Sequence, residues 1–191
     1  GQGNYNEGWL LGSVFGDGNI AEDMEEYSSD FWKGFLSGWF DADGSIQGTQ
    51  KKGVTIRLGS VNLETLKIAQ RVLLRKGIYS KLHKDCQSGH ELIISREDIS
   101  KFNSLIGFET PSKKEKLQAL IDAYKRNMNK NHFSSTVKTV EKLSEPQKVY
   151  DCNIPEIHCF SANGIKAHNC LEIALHGYDE DGNSGFHLCN L

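Results

Sequence analysis

The 191-residue chain lacks any long apolar run, and its apolar stretches fall far short of the roughly 18 residues that a membrane-spanning helix needs. It also lacks a basic region followed by an apolar stretch near its start, so we expect no signal peptide, a cytoplasmic location and no membrane partner. Prolines number only three, and hydrophobic residues make up 38% of the chain, which favours a folded protein over a disordered one.

Basic residues are almost absent from both ends of the chain. Residues 1–50 contain one base, Lys33, and nine acids, whereas residues 51–148 carry a net charge of +10 and residues 149–191 one of −5. The overall net charge of −3 therefore hides a basic middle between two acidic ends. This asymmetry predicts either a polyanionic partner for the middle or separate modules.

Cysteines are few, odd in number and crowded, because four of the five fall in the last 40 residues. Without a secretory signal, reduced, reactive or buried thiols are favoured over a disulfide framework. A zinc site is a further alternative, although its candidate ligands contain no Cys-x-x-Cys pair. Those candidates are His158, Cys159, His168, Cys170, His187 and Cys189.

Two short segments, residues 10–18 and 36–44, resemble each other and both end in Asp-Gly. Each places small residues four positions apart, which is the spacing that brings two helices into close contact. The sequence therefore predicts two helices packed face to face, with Asp17 and Asp43 delivered to the same end. The small pairs are Gly12 with Gly16 and Gly38 with Ala42.

The rest of the chain alternates between strand-like and helix-like patterns, which predicts an α+β fold. Helices are expected over 62–76, from Arg96 to Gly107, and from Pro111 to about Arg126. Strands are expected over 54–58, 79–85, 91–95, 136–140 and 148–154, and a loop over 176–187.

The paired segments resemble the motifs of LAGLIDADG homing endonucleases, nearly letter for letter at 36–44 and more loosely at 10–18. The resemblance implies that the two helices pack at a pseudo-twofold axis. It also implies that Asp17 and Asp43 bind a divalent cation, usually Mg²⁺, over the scissile phosphates of double-stranded DNA. Asp41 is expected to have a structural role.

The same resemblance implies that strands after each motif lie on DNA, where basic and polar side chains contact phosphates and base edges. Single lysines of this kind also fit ordinary solvated positions. Residues 19–30 are too short to hold the strands of a first half, so we expect weak or no specific cleavage. The expected DNA contacts are Gln47, Gln50, Lys51, Lys52, Arg57, Lys81, His83 and Lys84, with Lys113, Lys114 and Lys116 near the cleavage centre.

A second resemblance, to the C-terminal splicing region of inteins, begins at residue 149 and ends in His168-Asn169-Cys170. It implies that Asn169 cyclises through its side-chain amide and cuts the bond to Cys170, whose thiol accepts the transferred acyl group. It implies that His158 and His168 assist as proton donors and Asp151 as an acid, without a cofactor. The upstream splicing blocks are not visible, so an upstream intein fragment or a longer precursor is expected to supply them.

The residues after the junction resemble the active-site region of the large subunit of class I ribonucleotide reductase. The resemblance implies a radical-bearing Cys170, a general base at Glu172 and a redox cysteine at Cys189. Alternate positions on a strand share a face, so Cys170 and Glu172 are able to meet one sugar. The resemblance makes this reductase the host protein, in a microbial or viral host cell.

Together these patterns predict three segments. Residues 1–130 are expected to form a LAGLIDADG-type domain with one αββαββα-like half and a truncated first half. Residues 131–169 are expected to supply C-terminal strands of an all-β Hint splicing domain, and residues 170–191 a stub of the reductase. The alternative is a DNA-binding or maturase-like protein that uses the same scaffold without cleavage or splicing.

Overall fold

The computed structural model describes residues 1–49, 53–86, 89–123 and 136–148, followed by residues 156–157, 159–162, 165–168, 177–178 and 184–185. The chain divides into two compact units, Gly1–Ser135 and Thr136–Leu191. Among the described residues, no helix combines the length and the apolar character that crossing a membrane requires.

Two helices begin the first unit, and each satisfies part of its free N-terminal amide groups with a neighbouring side chain. α1 (Tyr5–Ser13) starts at a capping box, in which the Asn4 side chain accepts a hydrogen bond from the Glu7 N–H and the Glu7 carboxylate accepts one from the Asn4 N–H. α2 (Ser29–Asp43) starts after Ser28, whose hydroxyl oxygen accepts a backbone N–H of the first turn.

Glycine lets the two helices touch backbone to backbone. A Cβ atom on Gly8 would collide with the carbonyl oxygen of Phe31, and one on Gly12 would collide with that of Phe35. The residue contacted on α2 moves from Phe31 to Phe35 as the glycine on α1 changes from Gly8 to Gly12, so α1 and α2 run parallel. The four glycines at this contact are Gly8 and Gly12 of α1 and Gly34 and Gly38 of α2.

The predicted close packing is present, but it lies about one turn earlier than expected. α1 begins before residue 10 and ends at Ser13, so Gly16 lies beyond the helix, with a φ of +53° and open space where its Cβ would be. Ala42 is exposed near the end of α2. Because α1 ends early, Asp17 belongs to the loop after the helix and not to its last turn.

A four-stranded antiparallel sheet follows α2, with the strand order β1-β2-β4-β3. The predicted strands and helices of this region are confirmed, and one strand, β1, was missed. Three further helices accompany the sheet. The elements are β1 (Gly44–Thr49), β2 (Gly53–Ser60), α3 (Leu63–Arg75), β3 (Ser80–Cys86), β4 (Gly89–Ser95), α4 (Asp98–Leu105) and α5 (Pro111–Asp122).

The helices cover one face of the sheet and form the core with it. Ile56 and Leu58 of β2 are fully buried beside Leu92 and Ile94 of β4. Burying a side chain of this size stabilises the fold by about 1.5–3 kcal/mol. Alternate residues of the same strands face away from the helices.

Aromatic side chains of α2 fill the space between the helix pair and the sheet. Phe35, Trp39 and Phe40 are fully buried. The Phe15 ring, from the loop after α1, meets Phe35 and Trp39 edge to face at centroid distances of 4.9 and 5.0 Å. This contact holds the start of the loop that carries Asp17 against α2.

Residues 19–30 contain one 3₁₀ turn, Glu22–Glu26, and no strand, as the short spacing predicts. The Glu25 carboxylate pairs with both Arg71 and Arg75 of α3. The hydrogen bond from Arg71 is the main reason why the pKa of Glu25 is lowered. The short connection is therefore docked onto the second half of the unit.

The described part of the second unit contains two short antiparallel pairs of strands. β5 (Cys159–Ala162) pairs with β6 (Ile165–His168), and β7 (Gly177–Tyr178) pairs with β8 (Ser184–Gly185) inside the segment predicted as a loop. The predicted strand over 136–140 is wrong, because these residues are irregular and exposed. A β-branched pattern becomes a strand only where another strand pairs with it, and none does so here within the described residues.

We expect Gly12→Ala to lower the free energy of unfolding by about 3 kcal/mol, because the new methyl group overpacks against the backbone of α2. Chemical denaturation measures the change. Gly59→Ala is the matched control, since the nearest atom to its added Cβ is 3.9 Å away. Equal stability of the two variants would contradict the backbone contact.

Candidate metal and nucleic-acid site

Asp17 and Asp43 lie at the same end of the helix pair and line one open depression of about 300 Å³. Asp43 is the last residue of α2, and Asp17 follows α1 by four positions. The two acids lie at one end of the helix pair, as the sequence predicts, but Asp17 reaches it from the loop after α1. The remaining lining residues are Gly16, Gly59, Ser60 and Val61.

The Asp17 carboxylate is held by the end of β2. Its Oδ1 atom accepts hydrogen bonds from the Ser60 hydroxyl at 3.1 Å and from the Val61 N–H at 3.2 Å. Sequence reasoning missed both partners, since nothing in the local pattern links residues that are 43 and 44 positions apart.

Lys113 of α5 holds the C-terminal end of α2. Its ammonium group donates to the carbonyl oxygens of Phe40 at 3.2 Å, Asp41 at 2.6 Å and Gly44 at 2.7 Å. Burial lowers the pKa of Lys113, and the carboxylates of Asp41 and Asp43 oppose that change. Lys113 therefore lies near Asp43 and binds backbone carbonyl oxygens in the last turn of α2 and just beyond it.

Asp41 has the structural role that the sequence predicts. Its carboxylate accepts hydrogen bonds from the N–H groups of Glu109 at 2.9 Å and of Thr110 at 3.2 Å, just before α5. Together with Lys113, it fastens the end of α2 to the start of α5.

The face of the sheet opposite the helices is mostly polar and runs across all four strands. Arg57 of β2 pairs in register with Ser45 of β1 and with Ile93 of β4, which pairs in turn with Lys81 of β3. Residues in register share a face. We call this set the outer face. It also includes Gln47, Thr49, Thr55, His83, Glu91 and Ser95.

Comparison with known proteins finds one family model that matches the central part of the first unit. The LAGLIDADG-like domain model matches residues 30–107. The match runs from α2 through α4, so Asp43 and the whole sheet lie inside the matched range and Asp17 precedes it. The predicted α+β fold class is confirmed at this level, with a small antiparallel sheet.

The chain is similar in sequence to two proteins whose names describe different enzymes. The chain is 26% identical over 187 residues to the ribonucleoside-diphosphate reductase NrdEB subunit alpha of Bacillus subtilis (strain 168), a match that covers 82% of this chain and 17% of that protein. It is 30% identical over 167 residues to a DNA polymerase of Thermococcus hydrothermalis, covering 81% of this chain and 10% of the polymerase. The chain therefore spans only about a sixth or less of the length of these relatives.

Among solved structures, the chain is similar to the homing endonuclease I-DmoI in complex with DNA and Mn. The identity is 26% and the TM-score is 0.39, over 45% of this chain and 47% of that one.

The outer face contains four of the residues that the sequence predicts as DNA contacts. Gln47 is exposed, and its side-chain amide donates a hydrogen bond to the Ser45 hydroxyl at 3.3 Å. Arg57 forms an ion pair with Glu91 at 2.9 Å, so its charge is partly neutralised. Lys81 and His83 are exposed on β3. The sequence analysis did not include four further polar residues of this face. Alternation with buried residues of β2 and β4 would have indicated Thr55 and Ser95, whereas Ser45 and Thr49 lie on the unpredicted strand β1.

Other predicted contacts lie elsewhere. Lys84 is exposed on β3 and, one residue after His83, points to the opposite side of the strand. Lys114 is exposed on α5, and the Lys116 ammonium group donates to the Ile46 carbonyl at 3.1 Å. The contacts predicted at Gln50, Lys51 and Lys52 fall outside the described residues.

Most predicted splicing residues also fall outside the described residues. β5 pairs with β6, and Cys159 lies opposite His168 in this pair. His168 is two residues before Cys170, the first residue after the expected junction. Only the backbone of His168 is described, and the Cys159 thiol is free and half-buried. The residues that lie outside the description are Asp151, His158, Asn169, Cys170, Glu172, His187 and Cys189.

We expect Lys113→Met to lower the free energy of unfolding by about 2 kcal/mol, because three carbonyl oxygens lose a charged donor. Lys114→Met is the matched control, since Lys114 is exposed on the same helix. Thermal unfolding of both variants measures the difference. An equal melting temperature for the two would contradict the role given to Lys113.

Proposed function

We propose that the first unit is a homing endonuclease domain that binds double-stranded DNA with its outer face and hydrolyses a phosphodiester bond with a divalent cation. One observation carries the proposal. Two acids, one from the end of α2 and one from the loop after α1, line one depression beside a LAGLIDADG-like sheet with a polar outer face.

The residues present fit a hard cation such as Mg²⁺. Such ions prefer oxygen ligands and are often bound through only one or two carboxylates, because they keep several waters. Asp17 and Asp43 supply two carboxylates in an open depression, and the described residues contain no group of three or more His, Cys, Asp or Glu able to hold a metal. When bound, the cation would stabilise charge on the phosphate as a Lewis acid.

The chain's own residues have separate tasks in this proposal. Asp17 and Asp43 hold the cation, and Lys113 and Asp41 keep the end of α2 in place beneath Asp43. The exposed side chains of Gln47, Lys81 and His83 contact DNA, while Arg57 is oriented by Glu91 for a groove or a phosphate. Only one sheet is available in the described part of the first unit, so we infer recognition of one half-site.

We expect Asp17→Asn and Asp43→Asn to abolish Mg²⁺-dependent nicking of supercoiled plasmid while leaving DNA affinity within about twofold, since neither residue lies on the outer face. The wild-type chain should nick weakly and without strong site preference, because one sheet supplies the contacts. Gel-based nicking and a binding titration measure the two effects.

Asp30→Asn is the control, since Asp30 is an exposed acid in the first turn of α2, far along the helix from Asp43. Efficient site-specific double-strand breaks would contradict the single half-site. DNA binding by a wild-type chain that cuts nothing would favour the DNA-binding or maturase-like alternative.

We further propose that the second unit is the C-terminal part of an intein. The support comes from the two relatives, a reductase and a polymerase that share no chemistry. Each matches more than four fifths of this chain, so both must match largely the same residues. A segment common to two unrelated enzymes serves neither activity, which is the expected property of an inserted module that removes itself.

The splicing chemistry would use the residues around the junction. The Asn169 side-chain nitrogen attacks its own backbone carbonyl carbon, the peptide bond to Cys170 breaks, and a succinimide forms as the Cys170 nitrogen takes up a proton. His168 and His158 are suited to donate that proton, and Asp151 to assist the earlier transfer to the Cys170 thiol. An upstream segment would supply the rest of the splicing domain.

Residues after the junction would then belong to the host protein. The sequence after Cys170 resembles a ribonucleotide reductase, and one of the relatives is a ribonucleoside-diphosphate reductase. Within that host, Cys170, Glu172 and Cys189 would act on the substrate only after splicing has joined them to the rest of the reductase.

We expect the wild-type chain to release a peptide comprising residues 170–191, which intact-mass spectrometry detects, and Asn169→Ala to release none. Asn190→Ala is the control, because it keeps the junction and should release a peptide of correspondingly lower mass. Release that persists in Asn169→Ala would contradict the proposed cyclisation.

A further inference from the structure

The two carboxylates of the depression are positioned by different means. Asp43 is the last residue of α2, so the helix and its contacts with α5 fix it. Asp17 lies four residues beyond the end of α1, in a loop that includes the left-handed Gly16. Its position must therefore come from contacts outside its own helix.

Those contacts come from the turn between β2 and α3. The Gly18 carbonyl oxygen accepts from the Thr65 hydroxyl at 3.2 Å, and the Asn62 amide donates to the Asn19 side-chain oxygen. Asn62 is also the N-cap of α3, with its side-chain oxygen accepting two backbone N–H groups at 3.1 and 3.2 Å. The loop that carries Asp17 is thus tied to a capped helix terminus.

Ser60 is the central residue of this arrangement. It is 4% exposed, and its hydroxyl donates to Asp17 Oδ1 at 3.1 Å while accepting the Asn62 N–H, also at 3.1 Å. The Val61 N–H donates to the same Asp17 oxygen. Both bonds to Asp17 use Oδ1, so neither of them occupies Oδ2.

We propose that Ser60 is a positioning residue that orients the Asp17 carboxylate for a divalent cation, an inference that rests on the metal site proposed above. The Asn62 N–H occupies an acceptor site of the Ser60 oxygen, so the hydroxyl hydrogen is directed at Asp17. Without that hydroxyl, one hydrogen bond from Val61 remains, and the Asp17 side chain gains freedom to rotate. Residues that orient a metal ligand typically change metal affinity by about 10–100-fold when they are removed.

The test is Mn²⁺ affinity of the full chain, measured by electron paramagnetic resonance without DNA. We expect Ser60→Ala to weaken Mn²⁺ binding about tenfold. Asp17→Asn and Asp43→Asn each remove a proposed ligand and give the affinity that remains without it. Ser80→Ala is the matched control, because Ser80 is 2% exposed in the same sheet and its hydroxyl has no partner among the described residues. Ser80→Ala should bind Mn²⁺ like the wild type.

The outcomes separate this inference from the proposed function. A wild-type chain whose Mn²⁺ binding is absent, or is unchanged by Asp43→Asn, overturns the metal site itself. Two other results would overturn only the role of Ser60, provided that the wild type binds Mn²⁺ through Asp43. One is an affinity of Ser60→Ala equal to that of the wild type, and the other is an equal loss of affinity in Ser60→Ala and Ser80→Ala. Should Ser60→Ala not fold, Ser60→Thr decides, because it keeps the hydroxyl and must retain at least half of the wild-type affinity.

Discussion

The backbone contact between α1 and α2 is the constraint on which the rest of the first unit depends. Four glycines remove the Cβ atoms that would otherwise separate the helices. Because the contact is parallel, the helices end on the same side, and both Asp17 and Asp43 reach one depression. A wider separation would move Asp17 away from Asp43 and Phe15 away from the aromatic rings of α2.

The two sides of this helix pair are built very differently. α2 continues into a four-stranded sheet, whereas α1 continues into a short connection. Glu25 of this connection pairs with α3, and its Met24 carbonyl accepts a hydrogen bond at 3.0 Å from the Trp32 indole N–H of α2. Ion pairs and hydrogen bonds hold this connection, which contains no strand. In the described part of the first unit, the sheet with its polar outer face therefore follows α2 alone.

Local pattern predicted the elements that carry strong periodicity, such as α3 with its Asn62 cap and the strands β2 and β4. It missed β1, since Gly44–Thr49 contains one aliphatic residue and two glycines. It wrongly assigned a strand to 136–140, where alternation is present without a partner strand. It placed the glycine contact one turn late, because i,i+4 spacing specifies a helix face and not the position of the partner along it.

The sequence by itself determined which groups the chain carries: two acids after segments with paired small residues, a basic middle region and a His-Asn-Cys sequence near the end. Only the tertiary structure decided how Asp17 is held, that Arg57 pairs with Glu91, and that Lys113 caps α2. Those contacts join residues 34 to 73 positions apart. Local spacing cannot specify them, because they depend on how helices and strands pack, and packing is set by the shape of the whole core.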